Sequence, residues 1–296
     1  MPYDLQTGSV GLRAEVIDAM VKQIAARNYK FKSACAIVPT SAWKNTFFRE
    51  NTDILEGAPG NVTKGIPRGA NFPQAVVSWE EISVRIIKHG LEDNIPWEDI
   101  LSNDINVQSR TIIKVTEGVV KSVDDDIWDS LTESRTGTGV ILSFALSTGA
   151  LHRHWDEASA AIIDDLMRAS RYIAQNNYDV SDLKCYISPY DKQNIMKYLA
   201  DKGAQFPSIA TDVAGNGVIG RLAGITLIES NSVTASFALV VKPQTCATWK
   251  ELVSLRSTTV EDPYKSVKIR VVEEGVVELT DPKAVCLIKD TNALAL

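Results

Sequence analysis

The residues that come nearest to a chemical motif are the glycines of residues 215–220, which read Gly-Asn-Gly-Val-Ile-Gly. This GxGxxG spacing lets a backbone loop approach the pyrophosphate of a dinucleotide, provided that a strand precedes the loop and a helix follows it. Here the following residues, RLAGITLIES, indicate a strand, and the acidic residue expected about 20 positions further on is missing. We therefore interpret Gly215–Gly220 as a loop leading into a sheet. A nicotinamide-dependent oxidoreductase that uses these glycines is the minor alternative.

A second candidate site is the segment HRHWD, whose His152, His154 and Asp156 could hold a metal ion. The segment leads into a predicted helix, where Asp156 is well placed as the N-cap, so a surface or capping role is the preferred interpretation. The only other histidine is His89, and the chain has no GxSxG elbow to support a serine nucleophile. It also has no P-loop, HExxH or EF-hand pattern. We therefore expect no catalytic residue, no metal and no cofactor.

Acidic residues are concentrated in one part of the chain. The segment from Leu91 to Leu131 has ten acidic and three basic residues, whereas the net charge of the whole chain is −6. Asp124, Asp125 and Asp126 are consecutive on a predicted helix, so they point in three directions and cannot jointly chelate one ion. A solvated helix face is the simplest interpretation, and a surface that must not adhere to nucleic acid is the alternative. The net charge argues against binding nucleic acid through a broad basic face.

Length and composition describe a globular protein. The chain has 296 residues, of which 45% are hydrophobic, enough for one large or two modest cores. No apolar run approaches the roughly 18 residues of a membrane span, and the N-terminus lacks the apolar segment of a signal peptide. The four cysteines are far apart in sequence and are predicted to be buried apolar residues in a reducing compartment: Cys35, Cys185, Cys246 and Cys286.

The stretch Arg49–Pro73 does not fit inside a compact domain. It reads RENTDILEGAPGNVTKGIPRGANFP, rich in Gly, Pro and Asn, and its apolar residues follow neither a helical nor a strand period. Structureless loops longer than about 12–15 residues are uncommon unless they are functional or disordered, and this composition is not that of a disordered segment. We therefore predict a surface that another molecule completes.

The other segments alternate helix and strand patterns without regular βαβ order, which predicts an α+β fold. Apolar spacing predicts helices near Leu12–Ile24 and over Val107–Leu131, Asp156–Gln175 and Tyr190–Lys202. Strands are predicted over Val77–Ile86, with a bulge or bend at Glu80–Glu81, and over Leu183–Ser188, Gly224–Ser230, Ser236–Val241 and Val267–Val271. A turn is predicted at Glu273–Gly275, with two short strands after it, and a domain boundary in the connector Gly137–Ala150.

The order of these parts resembles the major capsid protein of tailed bacteriophages, which has the Hong Kong 97-type fold. IPWEDIL and the helix ending in DDDIWDSL are similar to the start and end of the family's spine helix. LKCYISPYDKQNIMKYL is similar to the strand, turn and helix of its axial domain. GVIGRLAGITLIES, SFALVVKPQTCATW and KIRVVEEGVVELTDPKAVCLI are similar to the strands that follow and close the fold.

The resemblance implies a Hong Kong 97-like organisation of the whole chain. The implied parts are an N-terminal arm (1–48), an extended loop with its returning strand (49–88), a peripheral domain (89–150) with a spine helix over about 105–131, an axial domain (151–245), and closing strands that return to the peripheral domain (246–296). In the family, the arm and the extended loop reach over neighbouring subunits. The expected intersubunit contacts are therefore Arg49, Glu56, Lys64, Arg68 and Trp79, and an acidic spine helix with Asp124, Asp125 and Asp126 would keep packaged DNA off the shell wall.

The function implied by the resemblance is self-assembly into hexamers and pentamers of an icosahedral shell that encloses double-stranded DNA without sequence-specific contact. The protein would then be part of the virion, assembled in the host cytoplasm and not in a membrane. Only about 48 residues precede the extended loop, so a separate scaffolding protein or none is implied, together with portal and decoration proteins. An encapsulin-like nanocompartment that encloses cargo enzymes shares the fold and is the main alternative.

Overall fold

Strands and helices alternate irregularly along the chain, which confirms the predicted α+β class. The computed structural model describes residues 14–50, 67–69, 71, 79–101, 105–132, 140–147, 153–202, 220–262 and 265–293. The helices are α1 (Ala14–Asn28), α2 (Trp97–Leu101), α3 (Ile105–Leu131), α4 (Ile162–Gln175) and α5 (Pro189–Asp201). The strands are β1 (Ala36–Pro39), β2 (Lys44–Glu50), β3 (Trp79–Arg85), β4 (Ile87–Pro96), β5 (Leu142–Ala145), β6 (Lys184–Ile187), β7 (Arg221–Leu222), β8 (Ile225–Glu229), β9 (Phe237–Val241), β10 (Thr248–Asp262), β11 (Ser266–Glu278) and β12 (Val285–Lys289).

One sheet of the subunit has four strands in the order β1-β10-β11-β4. Its long strands β10 and β11 are antiparallel, and β1 runs parallel to β10 at one edge. The predicted long helix is confirmed as α3, 27 residues long. It packs with α1 on one face of the sheet, around a core cluster that includes Ile17, Val21, Ile112, Val119, Ile269 and Val271. Gly118 of α3 packs closely against Leu91 of β4. A Cβ at position 118 would lie only 2.9 Å from Leu91 Cδ2.

Helix α1, the described part of the predicted N-terminal arm, belongs to the core of its own subunit. Ile17 and Val21 are fully buried against α3 and the sheet. Asp18 Oδ1 accepts the backbone N–H of Ser257 at 2.9 Å, next to the point where the register of β10 against β11 shifts. β1 pairs with β10 only as far as Glu251, so the edge of β10 at Ser257 has no neighbouring strand in the described sheet, and Asp18 supplies the missing acceptor.

A two-stranded ribbon, formed by antiparallel β2 and β3, extends from one end of the four-stranded sheet. The registers place Pro39, Glu251, Gly275 and Ile87 in one row across β1, β10, β11 and β4. The chain therefore leaves both outer strands of the sheet at the same end, and the two departing segments pair with each other. The connection between them, residues 51–78, is most of the long loop predicted from the sequence.

A second sheet has six strands in the order β5-β12-β9-β6-β8-β7, and it packs with α4 and α5. Ile162, Leu166, Ala169 and Ile173 lie along one face of α4 and are fully buried in its core. The predicted helix after the Ser-Pro step is confirmed, because the Ser188 hydroxyl accepts the Asp191 N–H at 3.1 Å and caps α5.

Two strands share a sheet with segments outside their own predicted domains, whose boundaries stay a prediction. β5 lies within the range assigned to the peripheral domain (89–150), and β12 lies within the closing strands assigned to it (246–296), yet both strands are in the six-stranded sheet. β12 is an inner strand of that sheet, paired with β5 on one edge and β9 on the other, and both of its faces are buried. Val285 and Leu287 face one core cluster, and Cys286 and Ile288 face the other.

Three local predictions are wrong. Glu273–Gly275 is no turn, because β11 continues through it to Glu278. The β2–β3 register runs without a shift past Glu80 and Glu81, and the chain changes sheet at Ile86 instead. The helix predicted from Asp156 begins only at Ile162, so Asp156 is not its N-cap.

Candidate functional site

On the inner face of the ribbon, an arginine and a glutamate form a salt bridge within the subunit. Arg49 is 3% exposed, and its Nη2 lies 3.0 Å from Oε2 of Glu80, the residue directly opposite it in the register. Phe47 and Ile82, the next pair on this face, are half-buried. Arg49, a predicted intersubunit contact, therefore already has an intramolecular partner.

The outer face of the ribbon is open to solvent. Phe48 on this face is 60% exposed. Trp43, which precedes β2 and is not on this face, is 65% exposed. Lys44 and Arg85 lie directly opposite each other on this face and are both exposed. Like charges directly opposite each other across two strands are destabilising. Among the residues that the structure describes, neither of the two forms a salt bridge. This face therefore presents aromatic and cationic groups without partners in the described chain.

The other predicted loop contacts are only partly described. Arg68 is exposed in a short turn with Gly69, whose φ is +81°. Trp79 begins β3 opposite Glu50. Glu56 and Lys64 lie outside the described residues. An intersubunit role for these four residues stays a prediction.

Asp124 is part of the subunit's interior and not of a solvated helix face. It is 3% exposed, and its carboxylate accepts the backbone N–H groups of Lys30, Phe31 and Lys32 at 2.8, 3.1 and 3.3 Å. Burial raises the pKa of Asp124 to about 6, although the three N–H donors oppose that rise. This aspartate fixes the corner between α1 and β1, so it is unavailable to repel DNA.

Asp125 and Asp126 differ in exposure, as their consecutive positions on a helix predict. Asp126 is 4% exposed, whereas Asp125 is half-buried. Asp125 and Asp129, one helical turn further on, line an open groove of about 450 Å³ between α3 and β4. Lys121 and Ser122 lie on the same groove. The acidic surface of α3 is therefore smaller than predicted and includes Asp125 but not Asp124.

A buried ionic cluster joins the corner after α1 to the four-stranded sheet. Lys32 Nζ lies 2.5 Å from Oε1 of Glu273 and 3.0 Å from Oε1 of Glu251, and Glu273 has no exposed surface. The Tyr29 hydroxyl donates to Glu273 as well. The Lys32 ammonium also lies 5.5 Å from the ring centroid of Trp249. Burying charges is costly unless they are paired and hydrogen-bonded, and here they are.

The segment that was a candidate for metal binding hydrogen-bonds to residues that follow β12. His154 Nδ1 is hydrogen-bonded to the Asp290 carbonyl oxygen at 2.8 Å, and Asp156 accepts the Ala293 N–H at 3.2 Å. His152 lies outside the described residues. Within the described ranges, no three His, Cys, Asp or Glu residues are placed to hold a metal ion.

Asp165 supplies a pH-dependent contribution to stability that can be measured. Burial raises its pKa to about 6, while Trp155 Nε1 donates to its Oδ2 at 3.0 Å. Because the folded pKa exceeds the unfolded value of 3.8, the native state binds the extra proton, and stability falls as pH rises from about 4 through 6.

We therefore expect Asp165→Asn, which can still accept from Trp155, to be more stable than the wild type by about 1–2 kcal/mol at pH 8, allowing for solvent screening. The difference should vanish near pH 4. Urea unfolding between pH 4 and 8 measures it, with Asp164→Asn, an exposed neighbour, as the control. An Asp165→Asn difference that does not vary with pH would contradict this assignment.

The glycine motif does not open a helix. Gly220 is followed directly by β7 and β8, so the helix N-terminus that would meet a pyrophosphate is not present after it. Residues 215–219 lie outside the described residues. The dinucleotide alternative lacks the structural context it requires.

The four cysteines are buried free thiols, as predicted. Burial raises the pKa of Cys246 and of Cys286 to about 12, so neither is a reactive thiolate at neutral pH. None of the helices in the described ranges is both long and apolar enough to cross a membrane.

Two sets of residues are not evident as functional from the sequence patterns above. The pairing of Lys32 with Glu251 and Glu273 joins segments more than 200 positions apart, so no local pattern indicates it. Trp43 and Phe48 do carry a sequence signal, because they are two aromatic residues beside a long polar loop.

Comparisons with known proteins agree with this architecture. A family model described as phage capsid protein matches residues 79–288, more than two thirds of the chain. No curated protein matches the chain. One similar solved structure is the capsid of the cyanophage P-SCSP1u, with 14% identity and a TM-score of 0.63, covering 90% of this chain and 89% of that chain.

Two further solved structures share the fold. The virus-like particle from Pyrococcus furiosus has 10% identity and a TM-score of 0.60, covering 93% of this chain and 98% of that chain. A chain from the phage G structure of major capsid proteins and decoration proteins has 8% identity and a TM-score of 0.58, covering 90% of each chain. The chain therefore belongs to the phage capsid protein family, and it is a structural protein with the Hong Kong 97-type fold of tailed-phage major capsid proteins.

Proposed function

We propose that the protein self-assembles into the hexamers and pentamers of an icosahedral shell that encloses double-stranded DNA. The observation that carries this proposal is the ribbon. An isolated two-stranded hairpin is at best marginally stable in water, yet β2 and β3 extend beyond the sheet with exposed aromatic and cationic groups on one face. A neighbouring subunit that covers this face would stabilise it.

The chemistry of such a protein is association and not catalysis. The buried ionisable groups that a search for an active site would select, Asp124, Lys32 and Glu273, all hold the α1–β1 corner on the sheet. We infer that the chain is not an enzyme, and that complementary surfaces and wrapping segments carry out its function.

The connection between β2 and β3 is proposed to lie over a neighbour, with Glu56, Lys64 and Arg68 among its contacts. Deleting residues 56–70 should leave the urea-unfolding midpoint of the subunit within experimental error, because every described strand of the four- and six-stranded sheets lies outside that segment. The same deletion should abolish closed shells in electron micrographs. Normal shells from this variant would contradict the role of the loop.

An enzyme-enclosing nanocompartment is the second candidate, favoured by the match to the virus-like particle from Pyrococcus furiosus over nearly the whole of both chains. The contents of purified shells distinguish the two functions. Shells purified from the native source should contain nuclease-protected double-stranded DNA if the protein is a viral capsid. Shells that contain protein cargo and no nucleic acid would support the nanocompartment instead.

Further partners are proposed by analogy with assembled capsids. A separate scaffolding protein, a portal and decoration proteins would act during assembly in the host cytoplasm, and the mature protein would be part of the virion. Contact with DNA would be independent of sequence. Of the predicted acidic residues, only Asp125 is exposed enough to repel the packaged DNA.

A further inference from the structure

The residues directly after β12 form a short segment that joins several elements of the fold. This segment, residues 290–293, is called the strap below. Its central residues, Thr291 and Asn292, are 0% and 6% exposed. The Thr291 N–H donates to the Ser236 carbonyl oxygen at 3.0 Å, and the Thr291 carbonyl oxygen accepts the Trp155 N–H at 2.7 Å. The backbone of the strap is therefore bound on two sides.

The segment HRHWD binds both ends of the strap. His154 Nδ1 is hydrogen-bonded to the carbonyl oxygen of Asp290 at 2.8 Å, and the Asp156 carboxylate accepts the Ala293 N–H at 3.2 Å. The Ser147 hydroxyl, just after β5, donates to the Asp290 carboxylate. The histidine and aspartate of this segment therefore serve to hold the strap in place.

The centre of the strap is bound to the start of α5 through a buried carboxylate. Asp191 has no exposed surface, and its Oδ1 accepts the Asn292 Nδ2 at 3.1 Å. Its Oδ2 accepts the Ser188 hydroxyl at 2.7 Å. Asn194 Nδ2 donates to Asn292 Oδ1 at 2.9 Å, so both ends of the Asn292 amide are paired. The side chains that bind the Asp191 carboxylate here are neutral.

No cation is paired with Asp191 among the residues that the structure describes. The adjacent lysine, Lys192, lies 2.7 Å from Glu229 instead. The Cys185 thiol of β6 is neutral, because burial raises its pKa. Burial likewise raises the pKa of Asp191, and the hydrogen bonds from Ser188 and Asn292 only partly oppose that rise. The other ionisable groups that contact the strap lie at its two ends: His154, Asp156 and Asp290.

We propose that the strap is a pH-sensitive link between β12, α5 and the segment HRHWD, and that it opens more readily when Asp191 has lost its proton. Opening would expose Asp191 to water and return its pKa toward the ordinary value of 3.8. Since that pKa is higher with the strap closed, the closed strap binds the proton more tightly. The link is therefore strongest in acid and weakens as the pH rises through the raised pKa. This conformational device goes beyond the proposed shell function.

Hydrogen exchange of the Thr291 amide in the unassembled full-length subunit measures the opening of the strap. After correction for the intrinsic pH dependence of exchange, its protection should fall by at least about threefold between about pH 4 and 8. Asp191→Asn keeps the shape of the side chain without its charge, so it should lose most of this pH dependence. Asp201→Asn, at the exposed end of α5, is the matched control and should keep it.

The carboxyl of Asp191 can also be followed directly if Asp191→Asn does not fold. Its carbon-13 resonance in the wild type should titrate above the ordinary range, with the same midpoint as the change in Thr291 protection. Three results would overturn the proposal: protection that does not vary with pH, wild-type pH dependence in Asp191→Asn, or two different midpoints. Because the subunit is unassembled, each result is independent of whether shells form.

Discussion

Replacing Gly275 by alanine is expected to lower the free energy of unfolding by about 3 kcal/mol, the upper part of the usual range for an overpacked core. A Cβ at this position would lie 2.4 Å from Cζ2 and 2.6 Å from Cε2 of Trp249, and 2.9 Å from the Lys250 carbonyl oxygen. Trp249 is fully buried, so its ring has no room to withdraw. Urea-induced unfolding of the unassembled protein measures the loss.

Gly90→Ala is the matched control for this prediction. Gly90 is also a glycine in a strand of the same sheet, but a Cβ there would meet its nearest atoms at 3.4 Å, an ordinary contact distance. We expect this variant to be as stable as the wild type or slightly more stable, because alanine restricts the unfolded chain. Equal stability of the two variants would refute the role assigned to Gly275.

Replacing Lys32 by methionine is expected to destabilise the subunit by about 3–5 kcal/mol, the cost of breaking a buried ion pair from one side. The change leaves Glu273, which has no exposed surface, without the ammonium that lies 2.5 Å from it. It also removes the cation next to Trp249. Urea unfolding at neutral pH measures the loss.

Lys192→Met provides the comparison at an exposed ion pair. Lys192 Nζ lies 2.7 Å from Glu229 Oε2, but the two side chains are 33% and 41% exposed. Exposed pairs contribute at most about 1 kcal/mol, so this variant should lose little stability. A loss for Lys32→Met no larger than that for Lys192→Met would mean that the buried cluster does not anchor the α1–β1 corner.

The elements predicted well from sequence are those whose pattern is local. The apolar spacing from Val107 to Leu131 repeats over seven turns, and α3 covers that whole range. The Ser-Pro step before α5 carries its own capping group in Ser188. The stretch Arg49–Pro73 stood out because no local period explains it, and its flanking strands do leave the sheet as a separate ribbon.

The predictions that failed depend on contacts distant in sequence. Glu273, Glu274 and Gly275 have turn composition, but Glu273 pairs with Lys32 and Gly275 makes room for Trp249, so the strand continues. Asp124 has two identical neighbours in sequence. Only the fold shows that it binds the backbone at residues 30–32.

The candidate contact surface was predictable in part. The long loop indicated that a partner was required, and the acidic segment indicated a charged surface. The outer face of the ribbon was not predictable, because the register that places Lys44 opposite Arg85 depends on how the two ends of the loop pair. A shift of one residue in either strand would have moved the cation of that strand to the inner face.

Electron microscopy of the purified wild-type protein, combined with sedimentation, tests the central claim most directly. We expect closed icosahedral shells built from hexamers and pentamers, in which density for a neighbouring subunit covers the outer face of the β2–β3 ribbon. A uniform monomer or small soluble oligomer, at concentrations and salt conditions where related capsids assemble, would contradict it.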